Sequence, residues 1–437
     1  MVVANSLRCL FIFAASGVAA QTTQPQASDL HGEVPLLVPE TETSKINFLT
    51  MGLRISSDFD GNLLSHNQNQ EENLVASIQP RLGWHVARAR LDWAVDYTPG
   101  LSRSQSLSAY DSFSHQLESA FQLKMTKRLR LRIHEGFLKS TNPFDQLRVS
   151  EAAKGTAIRN VPNDTVLATP AEVRTEQASI DIVYAASAHT TAGIGGEFFS
   201  TKSNLLPAVQ LPNQALQDSR STGGHGYYSR QVARHQWTGF DYHVQKLIFN
   251  SGESWSLVHS LVYSHTIALS RPMTLSLFVG PERSVTESVT NALSPLSPVL
   301  VGRRSTWHWS GGAAGRWSGM RTSVTARFAR KVGNDKVLGA VRLSQTSAEL
   351  SRQFARQWTA RLLASYDDSK ALAAPVTLSY ASAAGGLTHT LSRNLSVEFQ
   401  YWRVHLSSNG SLPAALLADY SRISMSLIYD LRYPLGR

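Results

Sequence analysis

Cysteine is almost absent: Cys9 is the only one in 437 residues. It opens a short apolar stretch that ends at Val18, behind the single positive charge of Arg8. The small-residue triplet Val18-Ala19-Ala20 stands just before Gln21, the pattern of a secretory signal with its cleavage site. Residues 1–20 are therefore expected to leave, and the only thiol with them. Cys9 precedes the apolar run and is badly placed for lipoprotein acylation. The mature chain then has no disulfide and no thiol-bound metal. Residues 21–44 are polar and contain proline, and are expected to form a flexible periplasmic lead-in.

Charge is also scarce. Asp, Glu, Lys and Arg make up 17% of the chain, against about 25% in ordinary soluble domains. Long apolar runs are missing too: although 42% of residues are hydrophobic, none of them gather into the roughly 20 consecutive positions of a spanning helix. The net charge is +10, but the basic residues are dispersed rather than gathered into a stripe, which disfavours nucleic acid as a partner. These absences exclude a disulfide scaffold and a helical membrane protein. Serine, threonine, glycine and aromatic residues fill the remainder, and apolar residues are diluted nearly one for one by polar ones. Transmembrane β-barrels have this composition.

The dilution has a period of two. In RARLDWAVDYTPG, Leu91, Trp93, Val95 and Tyr97 alternate with Asp92, Ala94 and Asp96. In LRLRIHEGF, Leu129, Leu131 and Ile133 oppose Arg130, Arg132 and His134. QASIDIVYA and NLSVEFQYW repeat the pattern, and it is cleanest in SRISMSLIYDLRY, where Ile423, Met425, Leu427, Tyr429, Leu431 and Tyr433 share one face. Side chains alternate across a strand, so each segment has an apolar and a polar face. Short polar turns such as Thr126-Lys127-Arg128 and Ser392-Arg393-Asn394 alternate with long connections near 58–72, 100–113, 140–175, 202–225, 281–303, 367–376 and 407–419. The unit is strand, tight turn, strand, long loop.

This pattern predicts about 18 strands (16–18), from INFLTMGLRIS to Tyr433, in a single domain over 45–437. The fold class is all-β: a transmembrane antiparallel up-and-down barrel with short periplasmic turns and long extracellular loops. Each strand needs roughly 9–11 residues to cross the membrane. Aromatic residues near the strand ends, among them Trp84, Trp93, Trp255, Trp307, Trp309, Trp402 and Tyr433, are expected at the head-group level.

Candidate chemistry follows from the polar face. Arg88, Arg90, Arg130, Arg132, Arg361 and Arg432 are expected to face the lumen, with Asp92, Asp96, Glu118, Asp181, Glu398 and Asp430 on the same walls. Opposed charges across a bore favour polar or anionic solutes; the competing reading is that Arg and Asp on neighbouring strands satisfy one another. Asp58-Phe59-Asp60-Gly61-Asn62 begins like a calcium loop, but Leu63 stands where that loop needs glycine and Asn69 where it needs glutamate. A turn is the better reading there. The histidines are scattered, His308 reads as lumen-facing, and G-x-S-x-G is absent, so no catalytic residue, cofactor or metal is expected.

With its signal and strand–turn–strand units such as PRLGWHVARARLDWAVDYTPG and HTLSRNLSVEFQYWR, the chain resembles the bacterial outer-membrane, porin-like β-barrel superfamily. More narrowly, it looks like the barrels associated with exopolysaccharide and exosortase (PEP-CTERM) systems. The resemblance implies residence in the outer membrane of a Gram-negative cell, outer-membrane lipid and the barrel-assembly machinery as partners, and a conduit for polar solutes or exported polysaccharide. The alternatives are a non-conducting barrel that binds through its loops and, less favoured, an outer-membrane hydrolase. One departure stands out: such barrels commonly end on an aromatic residue, whereas this chain continues past Tyr433 with Pro-Leu-Gly-Arg. Mass spectrometry of membrane-extracted protein should find Gln21 at the N-terminus, and a maleimide probe should find no thiol.

Overall fold

A computed structural model describes residues 47–61, 72–105, 111–141, 171–205, 218–249, 254–290, 300–335, 338–372, 375–409 and 419–435. The export signal, the 21–44 lead-in and residues 142–170 of the longest loop lie outside the described residues. Eighteen strands follow one another in chain order. The first six are β1 (Phe48–Asp60), β2 (Asn73–Ala87), β3 (Leu91–Ser104), β4 (Ser112–Lys124), β5 (Leu129–Ser140) and β6 (Ala171–Ser187). Next come β7 (Thr190–Leu205), β8 (Ser219–Ala233), β9 (Gln236–Phe249), β10 (Ser254–Ser270), β11 (Met273–Thr290) and β12 (Leu300–Ser318). The last are β13 (Thr322–Asp335), β14 (Gly339–Gln353), β15 (Trp358–Ala371), β16 (Thr377–Thr390), β17 (Leu395–Ser408) and β18 (Tyr420–Pro434).

Each strand pairs antiparallel with its sequence neighbours, and β1 pairs with both β2 and β18. The ring is closed, as the alternation predicts. The seam is a full ladder from Phe48↔Pro434 to Asp60↔Arg422. At its upper end the Asp60 carboxylate accepts from Arg422 Nη2 at 2.7 Å, both side chains being buried. Removing either partner would strand the other charge, at about 3–5 kcal/mol.

The two faces differ as alternation requires. On β18, Ile423, Met425, Leu427 and Tyr429 are exposed on the outside while Ser424 and Ser426 are buried inside. Near the short turns, outward Trp84 and Trp93 lie with ring centroids 5.1 Å apart. Trp402 departs from the expectation. It lies on the inward parity of β17 and packs against a buried cluster of Leu378, Tyr380, Val404, Leu406 and Tyr420.

The strands are longer than a membrane crossing needs, from 12 residues in β5 to 19 in β12. At about 3.3 Å per residue the longest exceed the roughly 25 Å apolar band even when tilted. The expected loop 281–303 is therefore mostly wall: β11 runs to Thr290 and β12 starts at Leu300. Above the lipid both faces are polar, as in Glu282-Arg283-Ser284, so the period-two signal disappears while the ladder continues. Two loop-side connections, 250–253 and 336–338, are also as short as the turns.

The second of these marks the main departure from a simple tube. Pairing between β12 and β13 stops at Gly311↔Arg330, although β12 stays paired with β11 up to Leu300. Beyond Arg330 the β13–β14 tip is buried on both faces: Val332, Asn334, Asp335, Ala340, Val341 and Leu343 have almost no exposure. The Val332 amide donates to Glu282 Oε1 on β11 at 2.8 Å. Val332 and Ala340 pack on Leu247, Phe249 and Val258, inward residues of β9 and β10. Leu338 packs against the cluster on the inner face of β16–β18. The β13 side of the hairpin has left β12, while β14 stays paired with β15 as far as Val341↔Ala371, and the tip leans across the loop-side mouth. Its tight turn is closed by Gly339 at φ 74°, a conformation that glycine adopts without the Cβ penalty.

The closed seam gives a direct test. Cysteines placed at Ser56 and Ser426, cross-strand partners 370 residues apart in the chain, should form a disulfide in folded protein and none in urea-unfolded protein, read as a mobility shift on non-reducing gels.

Candidate functional site: the charged inner wall

A cavity of about 330 Å³ lies against the inner wall. Side chains from β18, β1, β2, β3 and β4 line it, including Arg54, Arg81, Asp96, Glu118 and Asp430. Arg81 Nη2 is 2.8 Å from Asp96 Oδ1, with both groups partly in solvent. Arg54 reaches past β18 to Glu398 on β17, its Nη2 lying 3.0 Å from Oε2, and also donates to Ser426 Oγ. Glu118 accepts from Gln116 Nε2 at 2.9 Å. Two guanidinium groups on β1 and β2 thus stand between carboxylates on β18 and on β3–β4, and the strip presents donors and acceptors together.

Contacts that skip a strand need room on the strand between. Glycine supplies it. Asp181 on β6, Gly195 on β7 and His225 on β8 stand in one cross-strand row. Across the glycine, Asp181 Oδ1 and His225 Nε2 are 2.6 Å apart, both buried. A Cβ at Gly195 would fall 2.4 Å from Asp181 Oδ1 and 2.7 Å from the imidazole. A second pair lies alongside: His243 Nε2 on β9 is 2.8 Å from Glu197 Oε1 on β7, above Gly223 of β8. His225 and His243 are cross-strand neighbours, so the two pairs form one buried polar belt.

The twelve residues expected at the lumen are not gathered into one site. Asp96, Glu118 and Asp430 line the cavity, and Glu398 holds Arg54. Asp181 belongs to the histidine belt, with Arg132 as its cross-strand neighbour on β5. Asp92 lies 2.9 Å from His85 Nε2 near the short turns. Arg361 donates to Glu349 Oε1 at 2.7 Å. Arg130 is half-buried on β5 next to Arg132 in the polar series, and Arg432 lies with its guanidinium carbon 5.5 Å from the centre of the Phe48 ring. Arg90 differs from its expectation: it sits with Arg88 outside the strands, in the exposed β2–β3 turn, where its carbonyl accepts from the Lys124 amide.

Sequence reasoning missed Arg54, Arg81, Glu197, His225, His243 and Glu282. Their signal was present as parity: Arg54 alternates with Leu53 and Ile55. What parity did not give is which strands stand beside one another at which height. Among the described residues no group of three His, Cys, Asp or Glu is arranged to hold a metal. Asp58 and Asp60, which opened the calcium-like stretch, are both in β1.

No family model and no curated protein matches the sequence. Among solved structures, Pseudomonas aeruginosa OpdO is similar at 13% identity, with a TM-score of 0.45, over 89% of this chain and 97% of that one. Pseudomonas aeruginosa OccK2 (OpdF), solved in complex with glucuronate, gives 11% identity and a TM-score of 0.45 over 88% of this chain and 98% of that one. The siderophore receptor PiuA from Acinetobacter baumannii gives 7% identity and a TM-score of 0.49 over 90% and 82%. These similarities are too distant to assign the chain to any of those proteins. The barrel is defined by its own closed ladder.

Paired substitutions test the glycine gap. Gly195→Val should lower stability toward urea by about 1–3 kcal/mol through overpacking. Gly196→Val, whose added Cβ meets nothing nearer than 3.7 Å, should leave the unfolding midpoint nearly unchanged.

Proposed function

We propose that the chain is an outer-membrane channel for small polar solutes, its passage confined between the inserted β13–β14 hairpin and the charged wall of β18–β4. The observation that carries this reading is the placement of the free volume. The hairpin packs on the inner faces of β9–β11 and β16–β18, and the open cavity lies along the strip with Arg54, Arg81, Asp96, Glu118 and Asp430. An even-stranded closed barrel with an apolar outer face and short turns on one rim suits the outer membrane, with its lipid and the barrel-assembly machinery as partners.

Paired charges on such a strip serve passage in two ways. They replace part of a solute's hydration with fixed donors and acceptors, and they set up a transverse field in a narrow bore. Because each guanidinium has a carboxylate beside it, a passing carboxylate or ammonium group exchanges partners rather than meeting a bare charge. An exported polysaccharide would need the hairpin to swing aside, and a barrel that binds through its loops would keep it shut.

The test is planar-bilayer recording of the refolded full chain. Wild-type protein should give discrete conductance steps. Replacing Val332 and Leu338 with Asp should unlatch the hairpin from its two apolar seats and raise the conductance several-fold. Asp96→Asn with Glu118→Gln and Asp430→Asn should shift the reversal potential toward anion selectivity. Absence of steps in both wild type and the unlatched variant would overturn the channel.

A further inference from the structure

The outer face carries a second charged surface, unrelated to the bore. On the loop-side half of the wall, Lys202 (β7), Arg220 (β8), Lys246 (β9) and Arg283 (β11) all point outward and are exposed. Three of them use the same device. Arg220 lies over the Phe198 ring, Lys246 over Trp255 and Arg283 over Trp307, at 5.1, 5.6 and 5.9 Å from the ring centres. Each ring belongs to the adjacent strand, so the cation is held against the wall by its neighbour. Among the described residues none of the four has a carboxylate within ion-pair distance. Glu172 pairs with Lys139 and Glu176 with Arg174, both on the β5–β6 flank. Glu287, on β11 within the arc, stands opposite Trp255 on one side and Arg303 on the other.

Position gives the arc its meaning. Outward aromatic rings mark the level where apolar membrane gives way to head groups. Cations held over those rings are at head-group height and beside lipid. At the same end of the barrel, outward positions of β18, β1 and β2 are Ser421, Ile423, Ser57, Phe59, Leu74 and Ala76, with no charge among them. Elsewhere on the rim, Lys370 and Arg403 each stand beside a carboxylate, Asp368 and Asp419.

We infer that this arc is a binding site for the phosphorylated head group of an outer-leaflet glycolipid. Two or more phosphates on one head group would bridge cations on neighbouring strands, and the acyl chains would lie along the apolar wall below, over Ile194, Phe240 and Tyr242. The inference rests on the outer-membrane placement and loop-side orientation given above, and is independent of whether the bore conducts.

The probe is bisphosphorylated lipid A, titrated against the detergent-purified full chain. Wild-type protein should bind it saturably, and binding should weaken as salt rises. Arg220→Ala with Lys246→Ala and Arg283→Ala should weaken binding by about 100-fold, while leaving heat-modifiable gel migration and bilayer conductance unchanged. Arg103→Ala with Lys370→Ala and Arg403→Ala, outward cations elsewhere on the same rim, should bind as wild type. Equal binding by the arc variant, equal binding of fully dephosphorylated lipid A, or displacement by inorganic phosphate at the lipid's own concentration would each overturn the lipid site, the last by assigning it to a free anion.

Discussion

In hydrocarbon, a backbone N–H or C=O without a partner costs several kcal/mol, and water is not there to supply one. That constraint is the one on which this structure depends. A sheet satisfies it only by having no edge, so β1 must find β18. The seam ladder, from Phe48↔Pro434 to Asp60↔Arg422, joins the two ends of the described chain into a ring. Alternation then follows from closure. Once every strand has two neighbours, each has one face toward lipid and one toward the bore, and the sequence must carry two compositions interleaved.

The inner face has a harder problem than the outer one. An 18-stranded ring is wider than side chains alone can fill, and its wall carries many charges. The chain meets this in two ways. At the loop-side mouth an apolar hairpin tip folds inward and builds small hydrophobic cores with Leu247, Phe249 and Val258 on one side and Leu338's neighbours on the other. Lower down, charges are matched in the wall itself, and glycines at Gly195 and Gly223 let partners two strands apart meet directly. Both devices fill space on the inner face. The outer face keeps to lipid chemistry, with apolar side chains in the band and cations over aromatic rings at its upper border.

The parts legible in sequence were those governed by parity. Ile423, Met425, Leu427 and Tyr429 read outward and stand outward, because lipid on one side enforces strict alternation. The expectation failed where that enforcement lapses. Beyond the apolar band, Glu282-Arg283-Ser284 is polar on both faces, and the wall continues unseen to Thr290. Arg90 shares parity with Asp92, but it stands in the β2–β3 turn, and a turn has no faces. Trp402 was assigned to the interface for its ring, yet its inward parity next to Val404 and Leu406 puts it in a core.

The sequence by itself determined a barrel of 16–18 strands, the antiparallel order and which side chains face lipid, because these follow from local period and from the length of each crossing. Only the tertiary structure decided which inward groups meet. Asp181 and His225 are 44 residues apart, and Arg54 and Glu398 are 344 apart. Their encounter depends on the register of every ladder between them and on closure of the ring. The inward fold of the β13–β14 tip belongs to the same class: Val332, Leu338 and Ala340 are ordinary strand-end residues until distant walls supply the surfaces they bury against.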